Sequence, residues 1–251
     1  MIKHASRGVP LVTVSLLLTG CAAAGGTPAP THATAAAATA PQASAPVVVG
    51  HEAVPEPKEL PGLGPRTRAQ VPEDTGQAVV VTGRGRNSSE STVVLYERGA
   101  DGWEAVSRWP AHNALKGWND DHRLGDLRSP VGVFTLSDAG GLLPDPGTRM
   151  PYDRSDGFSL SGTGFRGESL AGSFDYVVAI DYNRRPGTSP LDWTRPLGAE
   201  RGGGIWLHVD HDGPTQGCVS IAREHMRALL RALDPDRRPV VVMGDAASLA
   251  R

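Results

Sequence analysis

From Gln77 onward the chain is divided into short apolar runs, each closed by glycine or proline, and this punctuation limits the folds open to it. The runs are QAVVVT at 77–82, STVVLYE at 91–97, WEAVSRW at 103–109, VGVFTL at 131–136, FDYVVAID at 174–181, GIWLHV at 204–209 and PVVVM at 239–243. Each has strand length and is rich in β-branched or aromatic residues, the side chains that suit a pleated, half-buried surface. With 31 glycines and 21 prolines in 251 residues, long helices have little room. One segment carries a helical stripe: Met226, Leu229, Leu230 and Leu233, with Asp234-Pro235 to end it and Ser220 as the expected N-cap. The expected fold is therefore mostly β with a minor α part, a single domain over residues 76–246, with 247–251 as a tail.

The N-terminus reads differently. Lys3, His4 and Arg7 precede a short apolar run, Val9 to Thr19, too short to span a bilayer and suited to a signal-peptide core over residues 1–20. Leu18-Thr19-Gly20-Cys21 resembles the bacterial lipobox, which implies cleavage before Cys21 and a diacylglycerol thioether on its sulfur. Residues 21–75 are rich in Ala, Pro and Thr and hold nine of the 21 prolines, so they are expected to form a lipid-anchored, disordered linker. A flexible chain of that length spans roughly 40 Å, enough to lift a domain off a membrane. The expected location is the outer face of the plasma membrane, facing the cell wall, with the membrane touched only through Cys21. A formal net charge of -2 points to no nucleic-acid partner. The chain is expected to be a monomer.

Cysteine usage sharpens the reading. The chain has two cysteines, and lipidation of Cys21 leaves Cys218 without a partner. An unpaired thiol in an exported protein is a candidate reactive group. Cys218 stands near the end of Gly204–Ile221, GIWLHVDHDGPTQGCVSI. His208 closes the apolar run IWLHV, a rigid mount for a base that can take the thiol proton. Gly217 permits a tight turn, and the backbone N–H groups of Gln216, Gly217 and Cys218 are candidates for an oxyanion hole. If Ser220 caps the following helix, the positive end of its dipole lowers the pKa of Cys218.

This stretch resembles the signature of YkuD-type L,D-transpeptidases: a histidine after an apolar strand, then a [Ser/Thr]-His-Gly-Cys-apolar segment. His208 matches the first histidine, and Thr215-Gln216-Gly217-Cys218-Val219 matches the second segment. Upstream, Gly125-Asp126-Leu127-Arg128-Ser129-Pro130-Val131-Gly132-Val133-Phe134 is similar to the family's G-D-x-[RK]-[ST]-P-x-G-x-[FY] stretch. The resemblance spans about Gln77 to Gly244 and departs at three points. Gln216 replaces the second histidine, Ser220 stands where many members have arginine or asparagine, and the loop from His208 to Cys218 is shorter than usual. The resemblance implies a bent, β-sandwich-like catalytic fold with one main helix after the cysteine. It further implies that Cys218 attacks the third residue of a peptidoglycan stem peptide, releases the terminal D-alanine and passes the acyl group to an amine. His208 would serve as base and then acid. Arg128, Trp206, Thr215 and Ser220 become candidate substrate contacts. No metal or cofactor is implied. An L,D-carboxypeptidase on the same scaffold and a catalytically degenerate wall-binding lipoprotein are the alternatives.

His211 is an alternative base, although it lies in the polar loop DHDGP, where a solvated role for it, Asp210 and Asp212 is the simpler reading. His208, Asp210 and His211 have part of a zinc-binding HxHxDH spacing, but Trp206 occupies the first histidine position. His112 and His122 flank Gly117-Trp118-Asn119-Asp120, a segment that reads first as a surface loop and alternatively as one bordering the cleft or capping the sheet, and His225 reads as a surface residue of the helix. Trp103, Trp109, Trp193 and Trp206 are expected in the core or cleft wall. Arg201 and Arg223, like Arg128, are expected as surface charges or carboxylate contacts. Gly202-Gly203-Gly204 reads as a turn before the His208 strand.

Overall fold

Two strands of unbroken apolar character, β1 (Gln77–Gly83) and β11 (Val240–Asp245), run side by side in parallel, with Ala78 opposite Val240. Both are buried on both faces, which is why neither run shows polar alternation. Val79, Val81, Val241 and Met243 face an inner core, whereas Ala78, Val80, Val240 and Val242 face a second apolar layer. These strands belong to a computed structural model that describes residues 59–251; Cys21, the expected signal segment and the linker up to residue 58 lie outside the described residues.

The remaining strands are β2 (Glu90–Gly99), β3 (Gly102–His112), β4 (Trp118–Asn119), β5 (Ser129–Pro130), β6 (Gly132–Gly141), β7 (Tyr152–Arg154), β8 (Val177–Ile180), β9 (Trp206–Val209) and β10 (Val219–Ile221). Nine of the eleven strands form one sheet in the order β11-β1-β2-β3-β10-β9-β8-β6-β7, and β4 and β5 pair separately. The sheet closes because β6 changes partners along its length: Gly132–Thr135 pair with β11, and Leu136–Gly140 pair with β8 across a register shift. Closure removes most of the free edge. The mostly-β, sandwich-like fold expected from the family resemblance is the fold observed.

The inner core is completed by α2 (Arg223–Ala232), whose Met226, Leu229 and Leu230 are fully buried, as is its C-cap Leu233. The helical stripe and its Asp234-Pro235 stop are thus as expected. Its start is not. Ser220 lies inside β10, paired with His208 on one side and His112 on the other, and the N-cap is Ala222, which makes no side-chain cap. Val219 and Ile221 point into the inner core, so strand alternation directs the Ser220 hydroxyl to the opposite face. His225 is not a bare surface residue either: its ring stacks on buried Trp109 with centroids 5.6 Å apart.

The domain reaches beyond both boundaries read from composition. Leu60 and Leu63 are buried against Val80, Val94 and Tyr96, and between Leu63 and Val71 lies the short helix α1 (Pro65–Arg68). At the other end α3 (Ala246–Leu249) is capped by Asp245 and buries Leu249 in the same layer. Residues 59–75 and 247–251 are therefore packed parts of the domain rather than linker and tail. Sparse apolar residues among prolines hid this contact, because each side chain meets strands far away in sequence.

Candidate active site

Strands β9 and β10 are adjacent and parallel, with Leu207 opposite Val219, His208 opposite Ser220 and Val209 opposite Ile221. Leu207, Val209, Val219 and Ile221 fill the inner core. Alternation therefore sends Trp206, His208 and Ser220 to the other face, and Cys218, two residues before Ser220, to that face as well. Cys218 accordingly packs against the outer cluster of Phe158, Val177, Ala179 and Trp206. Cys218 therefore stands diagonal to His208 across the strand pair, on the same face. Both residues line one cleft of about 370 Å³.

The turn before Cys218 is pinned from several sides. Thr215 Oγ1 donates to the Cys218 carbonyl at 2.6 Å, and Ser129 Oγ approaches the same oxygen at 3.4 Å. The Thr215 amide donates to Asn113 O, and the Leu115 amide donates back to Thr215 O. Among the described residues, no backbone or side-chain acceptor takes the amides of Gln216, Gly217 or Cys218. A close approach explains Gly217: a Cβ there would meet Ile205 Cδ1 at 2.9 Å.

The sulfur itself is held by backbone. It accepts the Trp206 amide at 3.4 Å and faces the Gly204 carbonyl at 3.6 Å, the direction of its proton. Burial pushes the thiol up to about 11, with the Trp206 amide as a partial counterweight. The expected helix dipole is not there to oppose it, since β10 separates Cys218 from the start of α2. Burial likewise depresses His208 to about 4, against the opposing hydrogen bond with Val209. Its Nδ1–H donates to the Val209 carbonyl at 2.9 Å, leaving the Nε2 lone pair as the basic site. Phe174 meets the His208 ring edge-on at 5.3 Å. The resting pair is thus a neutral thiol and a neutral imidazole.

Around this centre the structure redistributes the residues expected from sequence. His211 is not in a solvated loop: its side chain is buried, its ring stacks on His208 at 5.9 Å, and its Nδ1 lies 3.3 Å from Glu168. Glu168 is carried by a small loop closed by the Thr163–Ser169 bridge, which presents Phe165 and Leu170 to the cleft. Asp210 accepts from Ser220 Oγ at 2.6 Å and His112 Nδ1 at 2.9 Å. Burial alone would raise Asp210, but these two bonds hold it at about 2. Ser220 is therefore a buried partner of Asp210 and does not line the cleft. Trp206 contributes its amide, while its indole is buried against Phe158 and Phe174.

The three arginines are committed elsewhere. Arg128 donates to Asn87 Oδ1 at 2.9 Å and to the Trp118 carbonyl, so it ties the loop at Asn87 to β4. Arg201 pairs with Asp121, and Arg223 with Asp175. Of the tryptophans, Trp103, Trp109 and Trp206 are buried, but Trp193 is 77% exposed.

For the segment ending at His122 the structure selects the cleft-bordering alternative over the surface loop. His122 is buried, lines the same cleft as Cys218, and has Nδ1 3.0 Å from Asp126 Oδ1. Asp126 also accepts the amides of Arg123 and Arg128 and the side chain of Asn119. A histidine three residues before the Gly125-Asp126 of the upstream motif is the available signal.

The model of the YkuD L,D-transpeptidase catalytic domain matches residues 76–242. The chain belongs to the YkuD family. Members of this family are generally cysteine-dependent acyltransferases. None of the curated proteins compared matches this YkuD chain. A solved structure similar to it is that of Bdellovibrio bacteriovorus Bd1075, with 18% identity, 68% of this chain and 48% of that chain covered, and a TM-score of 0.36. This chain thus spans about half the length of that one.

Proposed function

We propose that this YkuD domain is a peptidoglycan L,D-transpeptidase in which Cys218 is the nucleophile and His208 its base. The observation that carries the reading is the placement of Cys218 and His208 on one face of two adjacent parallel strands, in one cleft, beside three amides without acceptors. Nε2 of His208 takes the thiol proton as Sγ attacks the carbonyl of the third stem residue, and the developing oxyanion is met by the amides of Gln216, Gly217 and Cys218. Burial raises the thiol and lowers the imidazole, so it disfavours the thiolate–imidazolium pair before substrate enters, and the proton leaves the sulfur as the substrate is attacked. The terminal D-alanine leaves, and an amine from a second stem resolves the thioester. Thr215 shapes the turn that aims the three amides. In this reading the chain is a lipoprotein anchored through Cys21 and works on the outer face of the plasma membrane.

Incubation with tetrapeptide-stem muropeptides, followed by mass spectrometry, tests it. A cross-linked dimer lacking one D-alanine is expected, and Cys218→Ala should abolish it. Tripeptide stems without dimer would reassign the protein as an L,D-carboxypeptidase. No turnover by the wild type would leave a wall-binding role.

A further inference from the structure

The cleft that holds Cys218 is lined by His122 as well as by His208 and His211. Gly204 and Trp206 touch Sγ through their backbone, and His208 follows two residues later on the same strand. His122 packs against the glycine turns on either side of this segment. Its Nε2 would sit 3.0 Å from a Cβ on Gly202, and its Cε1 3.8 Å from a Cβ on Gly217. The positive φ of +68° at Gly202 and +66° at Gly204 lets this backbone turn tightly, Gly202 against the His122 ring and Gly204 against the sulfur. The Nδ1 edge of His122 faces the Asp126 carboxylate, so the Nε2 edge is the one turned toward the glycine turns. A carboxylate-backed imidazole beside a nucleophile's oxyanion turn is the arrangement of a general acid–base residue.

We propose that His122, positioned by Asp126, is a second acid–base residue of this cleft and handles the proton of the amine, while His208 handles that of the thiol. The proposal rests on the reading of Cys218 as nucleophile. In acylation the Sγ–C bond forms and the C–N bond breaks; the thiol proton goes to His208 and the His122 imidazolium protonates the leaving nitrogen. In transfer the incoming amine forms a new C–N bond and gives a proton to His122, while His208 returns its proton to the departing sulfur. Both histidines end as they began, so the cycle closes without an outside acid or base. Burial lowers the His122 pKa and Asp126 opposes that shift. Arg201 also lowers it, and Tyr182 meets the ring edge-on at 5.3 Å.

The test compares two donors with the same acyl group on the full-length protein: a tetrapeptide stem, whose leaving amine needs a proton, and its thioester analogue, whose leaving thiolate needs none. Adduct formation at Cys218 is followed by intact mass. His122→Gln is expected to slow acylation by the amide about 100-fold and by the thioester only a few-fold. His208→Gln should slow both. Asp126→Asn should move the falling limb of the amide pH profile to lower pH, since the carboxylate that supports the imidazolium is gone, and leave the thioester rate in place. If His122→Gln and Asp126→Asn slow both donors alike, or neither, His122 has no such role. Failure of the wild type to form an adduct with either donor would instead sink the nucleophile assignment, and this proposal with it.

Discussion

His208 stands opposite Ser220 in the parallel pair of β9 and β10, and this register sets the geometry of the cleft. It puts Cys218, two residues before Ser220, on the face from which the imidazole projects. A rigid ladder, not the connecting loop, thereby defines the spacing between nucleophile and base. Strand-mounted groups hold such distances better than loops do.

His208→Gln should accordingly lower the rate of Cys218 acylation by about 10²–10⁴, the range for loss of a positioned base. Stability should change little at neutral pH, because the wild-type ring is already neutral there. Stopped-flow acylation by a carbapenem reads the first quantity and urea unfolding the second. Similar acylation rates for the two proteins would move the base role to His211 or His122.

Ser220→Ala separates a structural hydroxyl from a substrate contact. The Ser220 Oγ donates to Asp210 at 2.6 Å and is fully buried. Its loss leaves Asp210 with one partner fewer and should cost about 1–3 kcal/mol of stability. Acylation and transfer rates should stay near wild type. A rise in KM for the stem peptide at unchanged stability would restore Ser220 to the substrate site.

What could be read from the chain, and what could not, follows the range of the interactions. The strand runs were legible because each carries its own apolar density, and β1 and β11 are buried on both faces. The Cys218–His208 pair was legible because both lie in one stretch. Ser220 was misread because Val219–Ile221 is too short to show alternation, so a hydroxyl just before a helix passes for a cap. Leu60 and Leu63 were hidden in proline-rich sequence whose partners lie on β1 and β2. His122 was hidden for the same reason: its surroundings come from Tyr182, Gly202 and Gly217, 60 residues and more away.

Acid should destabilise the protein through His208. Its folded pKa is about 4, below the ordinary 6.5, so between these values the unfolded chain binds a proton that the folded one refuses. The stability conferred by the neutral ring is complete above pH 6.5 and is lost as pH falls toward 4. At 1.36 kcal/mol per pH unit the loss approaches about 3 kcal/mol. Urea midpoints at pH 7 and pH 4.5 measure it. His208→Gln should show a correspondingly smaller decline between those two pH values, and equal declines would contradict the burial that depresses this ring.

Gly202→Ala tests how tightly the cleft is built around its backbone. At φ +68° and ψ −156°, backbone that only glycine adopts readily, an alanine is strained by about 1–3 kcal/mol, and its Cβ would press on His122 Nε2 at 3.0 Å. The buried ring has little freedom to retreat, since Asp126 and Tyr182 hold its other sides. The expected result is a melting temperature several degrees lower, together with slower turnover of amide donors than of thioester donors. Gly62→Ala is the control, because its φ is +76° and nothing lies within 4 Å of the added methyl. It should show the backbone strain alone, with both donors turned over as by the wild type. The same preference for thioester donors in both variants would mean that backbone strain, not contact with His122, is responsible.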